Sequence, residues 1–494
     1  MGSAIAADQP NADLTKSSGQ MASLNQFEVF AKRVMEINFT WNKNELADPG
    51  LSAGNVGGGN MSSLVKALEE DGFDVQQGRV INMDFLSVVN QGLATNANAN
   101  NAYNPYKTFI FPPLASQSAH PFADINGWSP LYKLRPDEAI VYVGLTPPQS
   151  AYFSYQTFLF IHYYPGEGGY KKVAANVGDN INLLTAKTNG TSGDPFSKAI
   201  LLVSTADKGV NERIKAAAQS AKYPTGIMNT EPLPYPLLRM GYGNTSDFYN
   251  FAMRVALFKD NQTQKAYADS IPGVILRVTP KSSTKLDTFG MPALRVRGTG
   301  NLSEFELMGT MDALREAILK KYGAKNATEL ETHQWLFDGY DAIQRGVDMV
   351  MPSRDTIYLN TTPFILSNDS SDFAIVYGIN HAAIGKTLYS NFNIYGVENL
   401  NGVAGINSNN LSGSADEYLP DNPDARYFYV WKVARHCNGE PHCLEVPYDV
   451  GAYGINLNQT AFMGFRAYVE PQTKVGPSYN EIVYDRVIKF SPHN

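Results

Sequence analysis

Four residues in the second half of the chain combine the side-chain types that acid and base chemistry requires. Arg354 and Asp355 open one predicted strand, His381 ends another, and Tyr389 starts a third. If the three strands are neighbours, these side chains meet at one end of a sheet. His381 would then act as general acid or base and Asp355 would orient it. Arg354 would hold an anion or oxyanion, and Tyr389 would be a second proton donor.

An interpretation without catalysis fits the same residues. Arg354 and Asp355 can form a turn pair, His381 can be a satisfied loop histidine, and Tyr389 can be a core residue whose hydroxyl reaches the rim. The sequence also lacks the common signatures of serine hydrolases, zinc proteases, phosphate loops, c-type haem attachment and calcium loops. We therefore expect any chemistry to use side chains alone, with no cofactor and no metal.

The two cysteines of the chain, Cys437 and Cys443, enclose five residues that include a glycine and a proline. This spacing is compatible with a local disulfide bond. His436 and His442 each precede a cysteine, so a soft metal site is the alternative. Adjacent residues rarely converge on one ion, and we therefore expect the disulfide.

Asparagine is unusually frequent, at 42 residues, and many of these residues begin an Asn-x-Ser/Thr sequon. Chance would give about five sequons at this composition, whereas the chain has eleven. The excess favours a secreted glycoprotein, and the alternative is an asparagine-rich bacterial extracellular protein that carries no glycans. The first residues lack a basic and an apolar region, so either a signal peptide has been removed or secretion is wrong. The sequons begin at Asn38, Asn60, Asn189, Asn244, Asn261, Asn301, Asn326, Asn360, Asn368, Asn410 and Asn458.

Composition excludes several classes of protein. Of 494 residues, 43% are hydrophobic and 18% are charged, which excludes a disordered chain. The net charge of −7 provides no basic surface for a nucleic acid. No apolar run approaches the roughly 20 residues that span a bilayer. We expect a soluble protein whose partner is a small-molecule or carbohydrate ligand. The surplus of tyrosine and phenylalanine either fills a core or stacks on ligand rings.

The pattern of apolar, aromatic and turn residues along the chain predicts an α+β fold with two aromatic-rich antiparallel β units, an intervening α/β segment and a helical hairpin. Residues 1–22 are predicted to be a flexible lead-in. The N-terminal α+β region, 23–345, is predicted to contain a first β unit (105–160), a strand-helix unit (199–228) and the helical hairpin (301–346). The C-terminal β-rich region, 347–494, is predicted to contain the second β unit (354–395).

Three local predictions bear on the site. Residues 246–258 are predicted to form a helix, and residues 94–104, rich in Asn and Ala, a loop. Thr328 and Glu331 have the spacing of a capping box, which predicts the start of the second helix of the hairpin. Asp207 is predicted to cap a helix after the buried strand at 199–204.

An internal duplication is predicted from a repeated sequence. Ala-Ile-Val-Tyr occurs at 139–142 and at 374–377, and each copy precedes an aromatic-Ser step. Chance recurrence of a generic buried strand is the alternative. Arg354-Asp-Thr-Ile-Tyr and the Tyr389-Ser390 step that follows it resemble uncharacterised bacterial envelope proteins made of two paired domains of unknown function. That resemblance covers a short segment and implies no activity.

These observations together predict a secreted, cofactor-independent enzyme, a hydrolase or lyase, that acts on a small organic or carbohydrate substrate. The alternative is a non-catalytic extracellular glycoprotein that binds carbohydrate or forms a surface or matrix structure.

Overall fold

A computed structural model describes residues 50–492 except 103, 114–126, 167–168, 192, 271, 284 and 301. The predicted lead-in and the sequons at Asn38 and Asn301 lie outside these residues. Within them, no helix combines the length and the apolar character needed to cross a bilayer.

The described chain forms two β units, each with a five-stranded and a six-stranded sheet. The strands of the first unit are β1 (Phe73–Gln77), β2 (Arg79–Met83), β3 (Tyr106–Ile110), β4 (Ala139–Leu145), β5 (Ser150–Tyr164), β6 (Gly169–Asn176), β7 (Ile181–Asn182), β8 (Ala199–Thr205), β9 (Met228–Pro232), β10 (Phe248–Phe258) and β11 (Gly273–Pro280). Those of the second unit are β12 (Ala327–Leu330), β13 (Thr332–Gln334), β14 (Thr356–Thr361), β15 (Phe364–Ile365), β16 (Phe373–Ile379), β17 (Tyr389–Gly396), β18 (Asn401–Asn407), β19 (Phe428–Ala434), β20 (Cys443–Glu445), β21 (Thr460–Tyr468) and β22 (Arg486–Phe490). The α-helices are α1 (Met61–Glu70), α2 (Phe85–Asn90), α3 (Lys208–Ser220), α4 (Asn261–Ala268), α5 (Met308–Tyr322), α6 (Gly339–Arg345) and α7 (Ser408–Leu411).

The two units share one strand order. The five-stranded sheets run β1-β11-β4-β8-β9 and β12-β22-β16-β19-β20, and the six-stranded sheets run β2-β3-β10-β5-β6 and β13-β14-β21-β17-β18, with the two-residue strands β7 and β15 at their sides. Without those two short strands, the order along the chain is the same in both units. The two Ala-Ile-Val-Tyr sequences lie on β4 and β16, which hold the same central place. The predicted α+β fold with repeated β units is confirmed.

Side-chain alternation along the central strands explains the layers. In β8, Ile200 and Leu202 pack toward the six-stranded sheet, whereas Leu201 and Val203 pack against α1 and α3. The second unit repeats this arrangement with α5 as its outer cover. The two six-stranded sheets meet in the middle, where Tyr152 packs on Tyr468 with ring centroids 4.7 Å apart. The centre of the molecule is therefore the interface between the two repeats.

One connection differs between the repeats. β8 and β9 are parallel and are joined through α3, whose N-cap Asp207 accepts a hydrogen bond from Val210 N at 2.9 Å. The equivalent strands β19 and β20 are also parallel, but only residues 435–442 join them. The predicted disulfide between Cys437 and Cys443 closes this loop. The second unit thus has a cross-linked loop where the first has a crossover helix.

Two predicted helices are wrong. Residues 246–258 form strand β10, which is buried along nearly its whole length because sheets cover both of its faces, so its apolar pattern does not show a strand period. In the predicted hairpin at 301–346 the first helix, α5, is present, but strands β12 and β13 stand where the second was predicted to start, and helix α6 begins only at Gly339. Thr328 lies in β12, which pairs with β22, so the apparent capping box is part of a strand. Since β12 and β13 belong to sheets of the second unit, that unit begins before residue 347.

The disulfide loop generates a first prediction. Replacing Cys437→Ser and Cys443→Ser together removes a constraint on the unfolded chain, and we expect the free energy of unfolding to fall by about 2 kcal/mol. Urea unfolding under oxidising conditions measures the change. Reductant should shift the wild-type protein to the same midpoint and leave the double variant unaffected. Coinciding midpoints for the oxidised wild type and the variant would contradict the assigned role.

Candidate functional site

Two arginine–tyrosine pairs occupy equivalent positions in the repeats. Tyr106 of β3 lies opposite Arg254 of β10, and Tyr358 of β14 lies opposite Arg466 of β21. These strands hold corresponding places in the two six-stranded sheets. Because those sheets face each other, the four side chains line one cavity of about 20 Å³ between the units. We call it the arginine–tyrosine chamber, defined by these four residues.

Both guanidinium groups are buried and bonded to neutral oxygens. Arg254 and Arg466 are 7% and 6% exposed. Arg254 Nη1 donates to Ser353 Oγ at 2.6 Å and Nη2 donates to the carbonyl oxygen of Met351. Arg466 donates to the Tyr395 hydroxyl and to the carbonyl oxygen of Ala99. In the described part of the chain, neither arginine forms an ion pair with a carboxylate.

Two tyrosine hydroxyls at the chamber accept hydrogen bonds from the backbone. The Tyr106 hydroxyl accepts a hydrogen bond from Asn101 N at 2.8 Å, and the Tyr358 hydroxyl accepts one from Ser353 N at 2.9 Å. Each hydroxyl therefore keeps its own hydrogen for a further acceptor. Burial raises the pKa of Tyr468, which also lines the chamber, well above its usual value. Its hydroxyl stays protonated and supplies no negative charge.

A second, apolar chamber of about 150 Å³ adjoins the first. We define the apolar chamber by Phe85, Leu131, Phe160, Ala252 and Met351. Polar residues that include Lys107 and Lys172 also line it, but most of the surface presented to the chamber is apolar. Phe85 and Met351 also line the arginine–tyrosine chamber, as do two further residues of the shared wall.

Helix α2 covers the apolar chamber and is tied to the second unit. Its first residue, Phe85, faces the chamber, and its last, Asn90, accepts a hydrogen bond from Ala452 N at 3.1 Å. Tyr453 donates to Asp84, the N-cap of α2, at 3.2 Å. The second unit therefore holds the helix that covers the chamber, whose walls come from the first unit and Met351.

The backbone around the arginine–tyrosine chamber has an uncommon conformation. Asn98, Ala99, Val350 and Met351 have φ of 50°, 49°, 50° and 61°, and all four line the chamber. A β-branched residue such as Val350 is a particularly unfavourable occupant of the left-handed region. Backbone strain of this kind clusters at binding and catalytic sites, where the surrounding structure holds it in place.

The structure separates the four residues proposed for catalysis. Asp355 accepts hydrogen bonds from Tyr152 at 3.0 Å, from Asn182 at 3.2 Å and from Asn180, and none from His381. Burial raises the pKa of the Asp355 carboxyl group, and those hydrogen bonds oppose the rise. Asp355 thus lies at the interface between the units.

Arg354 and Tyr389 also have partners other than those expected. Arg354 pairs with Asp179 and, at 3.2 Å, with Asp338. The Tyr389 hydroxyl accepts a hydrogen bond from Asn391 at 2.9 Å, and burial raises its pKa to about 12. Its ring packs on Tyr468, 5.0 Å between centroids, so it supports the chamber wall from behind.

His381 lies between two carboxylates of the second unit. Its Nδ1 is 2.6 Å from Glu304 and its Nε2 is 3.6 Å from Asp485. Burial disfavours the charged ring, but the charges and hydrogen bonds of the two acids outweigh burial and raise the pKa of His381 to about 10. At neutral pH both ring nitrogens carry a proton, so the ring cannot accept another. This geometry suits an ion-pair cluster that ties elements together and not a general base. We call His381, Glu304 and Asp485 the His381 staple.

The remaining predicted sites divide between surface and core. Asn360 lies in β14 and is 2% exposed, so the folded chain leaves no room for a glycan there. The other described sequons are at least partly exposed. The His436 ring bonds to Asn368 at 2.6 Å, and the described residues contain no group of three or more side chains placed to hold a metal ion.

Sequence reasoning missed the two arginines of the chamber. Arg254 was missed because residues 246–258 were predicted to form a helix. Arg466 was missed because no motif surrounds it. The sequence did contain a signal. Arg254 is the single arginine of β10 and Arg466 is the single arginine of β21, and both strands are long and mostly apolar. Aligning the repeats strand by strand brings Arg254 and Arg466 into the same place.

Comparisons with known proteins give little beyond a structural likeness. No protein-family model matches the chain, and no curated protein matches it. Among solved structures, the VPA0106 protein from Vibrio parahaemolyticus is similar at 10% sequence identity and a TM-score of 0.37, over 87% of this chain and 96% of that one.

The His381 staple generates a second prediction. Because the pKa of His381 is raised by folding, its contribution to stability is complete below about pH 6.5 and is lost as the pH rises through about 10. We expect the free energy of unfolding to fall more steeply between pH 7 and 10 in the wild type than in His381→Gln. Urea unfolding at several pH values measures both slopes. Parallel profiles would show that His381 is not held protonated.

Proposed function

We propose that this protein binds a small apolar organic molecule in the apolar chamber. The observation that carries the proposal is the apolar chamber of about 150 Å³. A cavity of this size with an apolar lining stays dry and can take up a benzene-sized molecule. Its walls come from the first repeat and from Met351, and it is partly open, so a bound molecule would bury most of its apolar surface but not all of it.

The size of the chamber also limits the affinity that apolar contact can supply. A benzene-sized body has about 200 Å² of surface, and burying it is worth about 5 kcal/mol. The cost of immobilising the molecule reduces this gain. Apolar burial alone therefore supports a dissociation constant no tighter than about the millimolar range, and a physiological ligand needs further contacts.

Binding is favoured over the catalytic alternative. The hydrolase or lyase expected from the sequence remains a prediction, and its proposed base, His381, is held protonated by Glu304 and Asp485. Carbohydrate binding by exposed aromatic faces has little surface to use. Among the described residues, the large aromatic side chains that are well exposed are Phe305 at 51% and Tyr453 at 41%. The aromatic surplus instead fills the core and the chamber walls.

We also propose that the protein works outside the cytoplasm. The Cys437–Cys443 disulfide supports this location, because such bonds persist in oxidising compartments. The surface placement of most described sequons is compatible with glycosylation.

Filling the apolar chamber tests the proposed function. Ala252 lines the chamber, so Ala252→Leu should abolish uptake of fluorobenzene measured by ¹⁹F NMR. Because the added atoms enter empty space, we expect stability to change by less than the 1–3 kcal/mol that overpacking typically costs, about 1 kcal/mol at most. Ala151→Leu adds the same atoms on β5 outside the chamber and should leave uptake intact. Equal uptake by the two variants, or none by the wild type, would refute the proposal.

The location has its own test. Protein purified from its natural source should lose mass on treatment with a peptide N-glycosidase, and its intact mass should be two hydrogens below that of the reduced chain. A single unmodified, reduced mass would contradict both glycosylation and an oxidising compartment. The exposed sequon Asn410 should carry a glycan in a peptide map, and buried Asn360 should not.

A further inference from the structure

The ligand's chemistry can be narrowed by the charge buried beside the apolar chamber, an inference that rests on the proposed function. Arg254 and Arg466 place two guanidinium groups at one small cavity. Arginine stays charged under all ordinary conditions. A buried positive charge without a compensating anion is strongly unfavourable.

The described residues around the cavity do not supply enough negative charge. Asp355 is the acid whose charge couples to Arg254, but its oxygens accept hydrogen bonds from Tyr152, Asn180 and Asn182 instead. The neighbouring tyrosines Tyr152 and Tyr468 stay protonated because burial raises their pKa values well above the usual range. Even a fully ionised Asp355 leaves one positive charge in excess.

Several polar groups at the cavity also have no partner within the described structure. Arg254 Nε is buried and unpaired, and so are both the nitrogen and the oxygen of the Asn104 side-chain amide. Asn104 is 8% exposed and lines the cavity. The donors at the cavity are Arg254 Nε, Asn104 Nδ2 and the hydroxyl hydrogens of Tyr106 and Tyr358, whereas the Asn104 oxygen is an acceptor. Buried polar groups in folded proteins are nearly always satisfied, so this set indicates an acceptor that binds there.

The volume of the cavity selects the kind of anion. About 20 Å³ is enough for a water molecule or for the oxygens of a carboxylate, and too little for a tetrahedral phosphate. A planar carboxylate also matches the planar guanidinium group. The apolar chamber lies on the other side of a wall that includes Phe85 and Met351, and the unbranched Met351 side chain can move aside easily.

We propose that the ligand is a small apolar monocarboxylate. Its carboxylate binds in the arginine–tyrosine chamber, against Arg254 Nε and the Tyr106 and Tyr358 hydroxyls, and Arg466 adds its charge from the second repeat. Its apolar body fills the apolar chamber. The head group supplies the affinity and orientation that apolar burial alone does not provide.

A matched pair of probes tests this. 4-Fluorobenzoate and 4-fluorobenzyl alcohol have nearly the same shape and differ in charge, and ¹⁹F NMR titration at pH 7 gives both dissociation constants. The wild type should bind the benzoate at least tenfold more tightly than the alcohol. Arg254→Gln should remove that preference by weakening benzoate binding far more than alcohol binding. Arg345→Gln, which removes an exposed arginine outside the chambers, should change neither constant.

The outcomes separate the two proposals. If the wild type binds neither probe, the apolar chamber is not a binding site and the proposed function fails. If it binds the alcohol but prefers it or shows no preference, the carboxylate inference is overturned and the proposed function stands. Should Arg254→Gln misfold and lose both probes, Tyr106→Phe and Tyr358→Phe decide. Each removes one donor and should weaken benzoate binding several-fold more than alcohol binding, and an unchanged preference in both would overturn the inference.

Discussion

The burial of two arginine side chains between facing β-sheets is the constraint on which the structure depends. A guanidinium group in such a place needs acceptors for its hydrogens and an anion for its charge. The protein supplies acceptors from Ser353, Tyr395 and two backbone carbonyls. It also bends the chain through left-handed conformations at Ala99 and Met351, whose carbonyls are those acceptors. The described residues do not supply enough negative charge to balance the two arginines. We therefore propose that a ligand supplies the missing anion.

Duplication explains how two arginines come to face each other. Each repeat buries one face of its six-stranded sheet against its own five-stranded sheet, and the remaining faces cover one another. Residues at equivalent strand positions, such as Arg254 and Arg466, are thereby brought to the same interface. The two repeats differ at the apolar chamber, which Ala252 of the first repeat lines. The place of Ala252 is taken by Gly464 in the second repeat, and a Cβ there would lie 2.7 Å from the Tyr395 ring and 3.5 Å from Trp335. These rings fill what would otherwise be a second apolar chamber.

Sequence patterns predicted the parts of the fold that depend on local signals. The buried strand predicted at 199–204, the cap at Asp207 and the short disulfide loop are each determined within a few residues. The repeated Ala-Ile-Val-Tyr predicted the duplication, since both copies occupy the same central strand position. The pattern failed at β10, a buried strand of 11 residues whose length also suits a helix. Both faces of β10 are buried, so its sequence lacks the alternation of apolar and polar residues that indicates a strand. The position of Arg254 in a sheet was therefore not predicted. The chamber itself brings together residues from Phe85 to Tyr468, and no single-sequence pattern contains such distant pairings. His381 was predicted to be a general acid or base oriented by Asp355, and its actual neighbours Glu304 and Asp485 are far from it in the sequence.

A crystal structure of the protein with 4-bromobenzoate tests most directly whether the buried arginines bind an anionic ligand. Anomalous scattering locates the bromine independently of the rest of the density. We predict the bromine in the apolar chamber near Leu131 and Ala252, and the carboxylate within hydrogen-bonding distance of Arg254. Bromine found only on the surface, or a carboxylate pointing away from both arginines, would contradict the central claim that the buried charge between the repeats holds an anionic ligand.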